Sequence, residues 1–162
     1  MLASGPALGF ALGWILGGDP RRLGDLRIRW WPVLGLGVLL RLVAGAAGEA
    51  AALLYVIGFA AVVAVAATNA MLPGLPLIAA GAALNLLVVA ANGGMPVDPA
   101  AVIAAGGTMP TDPLHLELTK STSLPLLADI IPLPPVRGVY SVGDVVLTVG
   151  GFWLPFAWMR RR

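Results

Sequence analysis

The stretch "LPLIAAGAALNLLVVAA", residues 75–91, carries a single polar side chain, Asn85. Its apolar residues are continuous and do not alternate with period two, which speaks against a lipid-facing barrel strand and for a helix. A hydrocarbon core about 30 Å thick takes roughly 20 apolar residues per helical span. Runs of the same character lie at about 2–18, 32–47, 50–67 and 140–159. The chain therefore reads as all-α: a polytopic transmembrane helix bundle of about five spans. It forms one integral membrane domain over residues 1–162, with a connection at 92–139. Composition agrees. The chain is 59% hydrophobic and 11% charged, with a mean hydropathy of +0.91, whereas soluble domains carry about 25% charged residues.

Charge sets the orientation. The pI of 9.7 does not point to nucleic acid, because the arginines sit in two clusters beside apolar runs. These are Arg21, Arg22, Arg27 and Arg29, then Arg160, Arg161 and Arg162. Such clusters mark cytoplasmic flanks. An odd number of spans then places the N-terminus outside, the C-terminus in the cytoplasm, and the 92–139 loop outside. The first run has no basic segment before it and is not read as a cleavable signal peptide. Its Gly5, Gly9, Gly13 and Gly17 repeat every fourth residue, so they share one face. That face suits close helix packing inside the bundle or, alternatively, an oligomer interface. The absence of cysteine excludes disulfides, thiolate metal sites and lipoprotein acylation.

The outer loop contains "AAVIAAGG" (100–107) and "SLPLLADIIPL" (123–133), both apolar enough to pack against helix ends. It is expected to be partly ordered and to cap the outer face. Its "IPLPPVRG" (131–138) has three prolines in four positions and is expected to be extended, not helical.

Polar residues near the membrane are the candidate site. "SVGD", Ser141 to Asp144, fits a capping box at the start of the last span, and a carboxylate there suits the helix dipole. Asp129, in "LLADIIP", lies fifteen residues earlier, and the proline-rich stretch leads it back to the same surface. Two close carboxylates share a proton, so one serves as base and the other as acid. The bland alternative makes Asp129 a turn residue and Asp144 a cap. Arg41, inside the second span, calls for a partner such as Asp144 or Glu49, or snorkels to the surface. Asn85 is expected to hydrogen-bond between helices, with a role in the site as the second reading. Asp112, His115 and Glu117 form a weak metal signal, since only one histidine is present; no metal and no cofactor is expected.

Taken together, "ANGGMPV", the downstream histidine, "SLPLLADIIPLP" and "VYSVGDVVLTVG" resemble an uncharacterised family of small bacterial membrane proteins, a domain of unknown function. That resemblance implies a bacterial inner-membrane location. The segments "GAALNL", "LADII" and "YSVGDVVLTVG" are similar, in the same order, to three segments of signal peptidase II, the lipoprotein signal peptidase. This second resemblance implies Asp129 and Asp144 as a catalytic dyad, with Asn85 a polar neighbour and Ser141 and Arg41 in support. It also implies a membrane-protein or lipoprotein substrate. Val88 and Val89 stand where that family carries Asp-Arg, and Ser141 stands where it carries asparagine.

Three functions follow as expectations. The first is a signal-peptidase-II-like aspartic membrane hydrolase, whose carboxylates must come within reach of one another. The second is a non-enzymatic membrane subunit or scaffold in which the aspartates are structural. The third is a small carrier or lipid-binding protein using Arg41 and the aspartates as a polar pocket.

Overall fold

The computed structural model describes residues 4–161. Leu2 and Ala3 of the first expected span, and Arg162 of the basic tail, lie outside the described residues. The chain forms α1 (Ser4–Ile15), α2 (Trp31–Ala44), α3 (Ala51–Thr68), α4 (Leu75–Asn92), a short α5 (Pro99–Ala104) and α6 (Val142–Met159). Three helices are long and apolar enough to cross a membrane: Gly48–Thr68, in which a 3-10 turn leads into α3, then Leu75–Asn92 and Val142–Met159.

The other two apolar helices are shorter than the sequence suggests, with 12 residues in α1 and 14 in α2. At 1.5 Å per residue, α2 reaches only about 21 Å. The end of α1 has a local cause. Gly17 adopts φ of 83°, its N–H bonds to Trp14 O at 3.0 Å and the Gly18 N–H bonds to Gly13 O at 2.8 Å. This is a Schellman ending, which glycine makes without the Cβ penalty. Gly17 therefore does not continue the glycine face. Gly5, Gly9 and Gly13 do, and α6 occupies that face. A Cβ on Gly5 or Gly9 would run into the carbonyls of Thr148 or Phe152, and one on Gly13 would meet Phe156. The face expected as a possible oligomer contact is used internally.

Glycine sets the other close approaches too. A Cβ on Gly37 would meet Gly58 O, one on Gly74 would meet Gly150 O, and one on Gly81 would meet Gly143 O. These pairings fix directions. Successive residues of α1 meet successive residues of α6, so the two are parallel, whereas α4 runs against α6. α2 likewise runs against α3: Gly37 meets Gly58 and Ala61, while Arg41 meets Gly58 from the next turn. Packing proceeds as a row, with α1 on α6, α6 on α4, α4 on α3 and α3 on α2. Buried positions are dominated by small residues and valines, with Phe59, Leu75 and Leu147 among the few large ones, while leucines point outward. Leu42 is 76% and Leu53 61% exposed. A water-soluble bundle would place those leucines inside.

Residues 93–141 lie at the end where α4 finishes and α6 begins. β1 (Met95–Val97) pairs in parallel with β2 (His115–Glu117), and β3 (Ile131–Leu133) pairs antiparallel with β4 (Gly138–Tyr140). The proline stretch is extended in β3 as expected, but Pro134–Val136 make one 3-10 turn. Arg137, at φ of 50°, then reverses the chain. The segment packs on the helices through Met95, which joins Val88 and Val89 of α4 in one cluster, with Tyr55, Val56 and Leu127 against it.

Candidate functional site

The start of α6 is organised by Ser141. Its Oγ accepts from the Asp144 N–H at 3.0 Å, and Asp144 Oδ2 accepts from the Ser141 N–H at 3.4 Å, so the expected capping box is present. The same hydroxyl has a proton to give, and it donates to Asn85 Oδ1 at 2.9 Å. Asn85 Nδ2 in turn donates to Asp144 Oδ1 at 2.8 Å. Asn85, Ser141 and Asp144 thus close a ring of hydrogen bonds between α4 and α6, with Asn85 and Ser141 buried and Asp144 half-buried. The ring exists because Gly143 has no side chain: a Cβ there would overlap the Asn85 amide.

Asp129 reaches this end of the bundle by its backbone. Its N–H donates to Pro96 O and its carbonyl accepts from the Asp98 N–H, both at 2.9 Å, and it bridges Val97 in parallel. Asp98 is itself the N-cap of α5, accepting from the Ala100 N–H at 2.9 Å. The Asp129 side chain is buried, and its Oδ1 has no hydrogen-bond partner among the described residues. Burial, with the nearby Asp144 charge adding to it, pushes the Asp129 carboxyl up to about 8. Desolvation penalises the charged form of any carboxyl, and a like charge does so again. Asp129 therefore holds its proton at neutral pH. No hydrogen bond links Asp129 to Asp144 among the described residues.

Arg41 takes a different partner from those expected. Its Nη2 donates to the Tyr55 hydroxyl at 2.9 Å. The guanidinium lies 4.1 Å from the Phe59 ring centroid and 4.8 Å from that of Tyr55. Neither Asp144 nor Glu49 pairs with it, since the ion pair among the described residues is His115 with Asp112. α2 and α3 approach closely at Gly37 and Gly58, which lays Arg41 across the aromatic pair Tyr55 and Phe59 on α3. Tyr55 and Gly143 are the residues that sequence reasoning missed. A tyrosine alone in an apolar run, four residues before a phenylalanine that follows a glycine, was the available signal.

His115 Nδ1 lies 2.8 Å from Asp112 Oδ2. Burial would raise the Asp112 carboxyl, but the His115 hydrogen bond and charge and the Leu114 N–H outweigh it, holding Asp112 below its ordinary value. Glu117 does not complete a metal site with them: no group of three potential ligands occurs among the described residues. A cavity of about 190 Å³ is lined by Val97, Thr108, His115, Asp129, Arg137 and Val139, so Asp129 borders a space large enough for several waters.

These features define a class: a helical bundle with three helices able to cross a membrane, bearing a polar cluster where a small two-sheet segment meets the helix ends. The chain belongs to DUF5317, a family of unknown function, whose model matches residues 25–156. No curated protein and no solved structure matches it.

Proposed function

We propose that the chain is an integral membrane protein of the cell membrane in which Asp129 and Asp144 act as an acid–base pair at the outer face. Outward-facing leucines and three span-length helices support the membrane reading, with α1 and α2 supplying the remaining two of five spans. The arginine clusters support an external N-terminus and a cytoplasmic C-terminus. One arrangement carries the chemistry: a buried carboxyl whose Oδ1 has no partner among the described residues and whose pKa is raised by burial and by the Asp144 charge, near the same end of the bundle as a second carboxyl held by two N–H donors. Environments that push two carboxyls apart assign the acid and the base. In this reading Asp144 takes a proton from water as it attacks a peptide carbonyl, and Asp129 gives its proton to the carbonyl oxygen. Asp144 then gives that proton to the amide nitrogen, the C–N bond breaks to release the amine, and Asp129 takes a proton back from one of the two hydroxyls, leaving a carboxylic acid product and both side chains as they began. Asn85 and Ser141 orient Asp144 and touch no substrate. The substrate class is a membrane-borne peptide, as the similarity to signal peptidase II implies.

A second reading, the scaffold, has its own support. The capping box and the Asn85 bond account for both Asp144 oxygens without invoking chemistry. Processing of membrane proteins and lipoproteins in cells carrying Asp129→Asn, Asp144→Asn or both separates the two. The acid–base reading expects processing to be lost equally in all three, because residues acting as a unit are non-additive, with folding nearly preserved. If Asp144→Asn chiefly melts the protein and Asp129→Asn leaves processing unchanged, the aspartates are structural.

A further inference from the structure

The row of helices is curled. Pro6 of α1, Val38 and Arg41 of α2, Phe59 of α3, Ile78 of α4 and Leu147 of α6 all line one cavity of about 420 Å³. Helices from both ends of the row share it, so the cavity is the inside of a trough bounded by α1 and α2. Its volume is within the range of small-molecule sites. Among the described residues Arg41 is the sole charged one lining it, and it stands in the last turn of α2, at the same end of the bundle as Asp144. Deeper lining positions, Leu34 of α2 and Gly151 of α6, are apolar or bare. The site is thus polar at one end and hydrocarbon-like for the rest of its length.

Arg41 is also under-used. It offers five N–H donors. One meets Tyr55 Oη, its Nε is buried with no partner, and it has no carboxylate partner among the described residues. An arginine at membrane depth normally has a counter-charge, and guanidinium matches phosphate geometry through paired N–H donors. We propose that the trough binds an anionic phospholipid, with the phosphate on Arg41 and one acyl chain lying against Val38, Phe59 and Leu147. Charge complementarity selects this occupant. The apolar walls need a chain, and a cation at the mouth that meets Tyr55 and Phe59 but no carboxylate among the described residues suits an anion tied to that chain. The inference rests on the membrane reading above but not on the aspartate chemistry.

The test uses the full chain, purified in micelles doped with equal amounts of phosphatidylglycerol and phosphatidylcholine, with retained lipid read by native mass spectrometry. Wild-type protein should retain phosphatidylglycerol selectively. Arg41→Gln should weaken that retention by about tenfold or more, equivalent to about 1.4 kcal/mol, and Arg41→Lys by less. Val38→Trp, which fills the trough and leaves Arg41 in place, should weaken it too, while Asp129→Asn should not. If Arg41→Gln does not fold, as judged by melting, Arg41→Lys and Val38→Trp still decide. Equal retention of the two lipids, unchanged retention in Val38→Trp, or displacement by inorganic phosphate alone would overturn the proposal. So would a dimer that seals the trough and excludes lipid. Release of the chain from membranes by alkaline carbonate would instead defeat the membrane reading.

Discussion

Replacing Asp129 by asparagine removes the one carboxyl that burial and the Asp144 charge keep protonated, and the consequence for stability depends on pH. Asp129 is 7% exposed, and its titration moves from an ordinary 3.8 to about 8 in the fold. The sign follows from proton counting. Between about pH 4 and pH 8 the unfolded chain has released the proton that native Asp129 retains, so the native state binds more protons and stability falls as pH rises. One proton corresponds to about 1.4 kcal/mol per pH unit, so from pH 4 to pH 7 the wild type loses at most about 4 kcal/mol. Above pH 8 both states are ionised and the loss levels off. The substituted amide does not titrate, and other groups cancel when the two proteins are compared. The stability of Asp129→Asn relative to wild type should therefore climb across pH 4 to 8 and then plateau. Reversible unfolding in micelles, followed at half-unit pH steps, measures this difference. A difference that stays flat over that range would show that Asp129 is ionised in the native protein, and the acid role would fall with it.

Other outcomes follow from the same geometry. Asp144→Asn removes the like charge that adds to burial, so the plateau should begin below pH 8; an unmoved inflection would mean that the two carboxyls do not sense each other. Gly143→Ala places a methyl group against the Asn85 amide and should cost about 1–3 kcal/mol of stability. Gly35→Ala, with open space around it in α2, should be neutral or stabilising in the same melts, and equal losses in both would deny the α4–α6 contact. The chain has no cysteine, so Thr108→Cys gives a clean label. It should react from outside intact cells, and reaction only after permeabilisation would reverse the orientation. Amide exchange should be slow at Met95, Asp98, Leu118 and Asp129, whose N–H groups bond across the 93–140 segment; uniformly rapid exchange there would contradict its packing on the helix ends.

What the amino-acid sequence determined by itself is local or compositional. The apolar runs announce α3, α4 and α6, because a helix satisfies its own backbone hydrogen bonds and apolar side chains then suffice to surround it. Ser141 and Asp144 announce their capping box, since the partners lie within one turn. The glycine repeat of α1 announces a packing face at Gly5, Gly9 and Gly13, although the left-handed turn at Gly17 ends the helix first. Tertiary structure alone decided what those elements bring together. Asn85 and Ser141 stand 56 residues apart, and they meet because Gly81 and Gly143 let two backbones approach closely. Asp129 is held by a parallel bridge to Val97, a pairing that no spacing rule encodes. Arg41 chose Tyr55 over a carboxylate because the Gly37–Gly58 contact brings α3 under it. Each contact depends on the distance between helix axes, and interhelical packing, not any neighbouring residue, sets that distance.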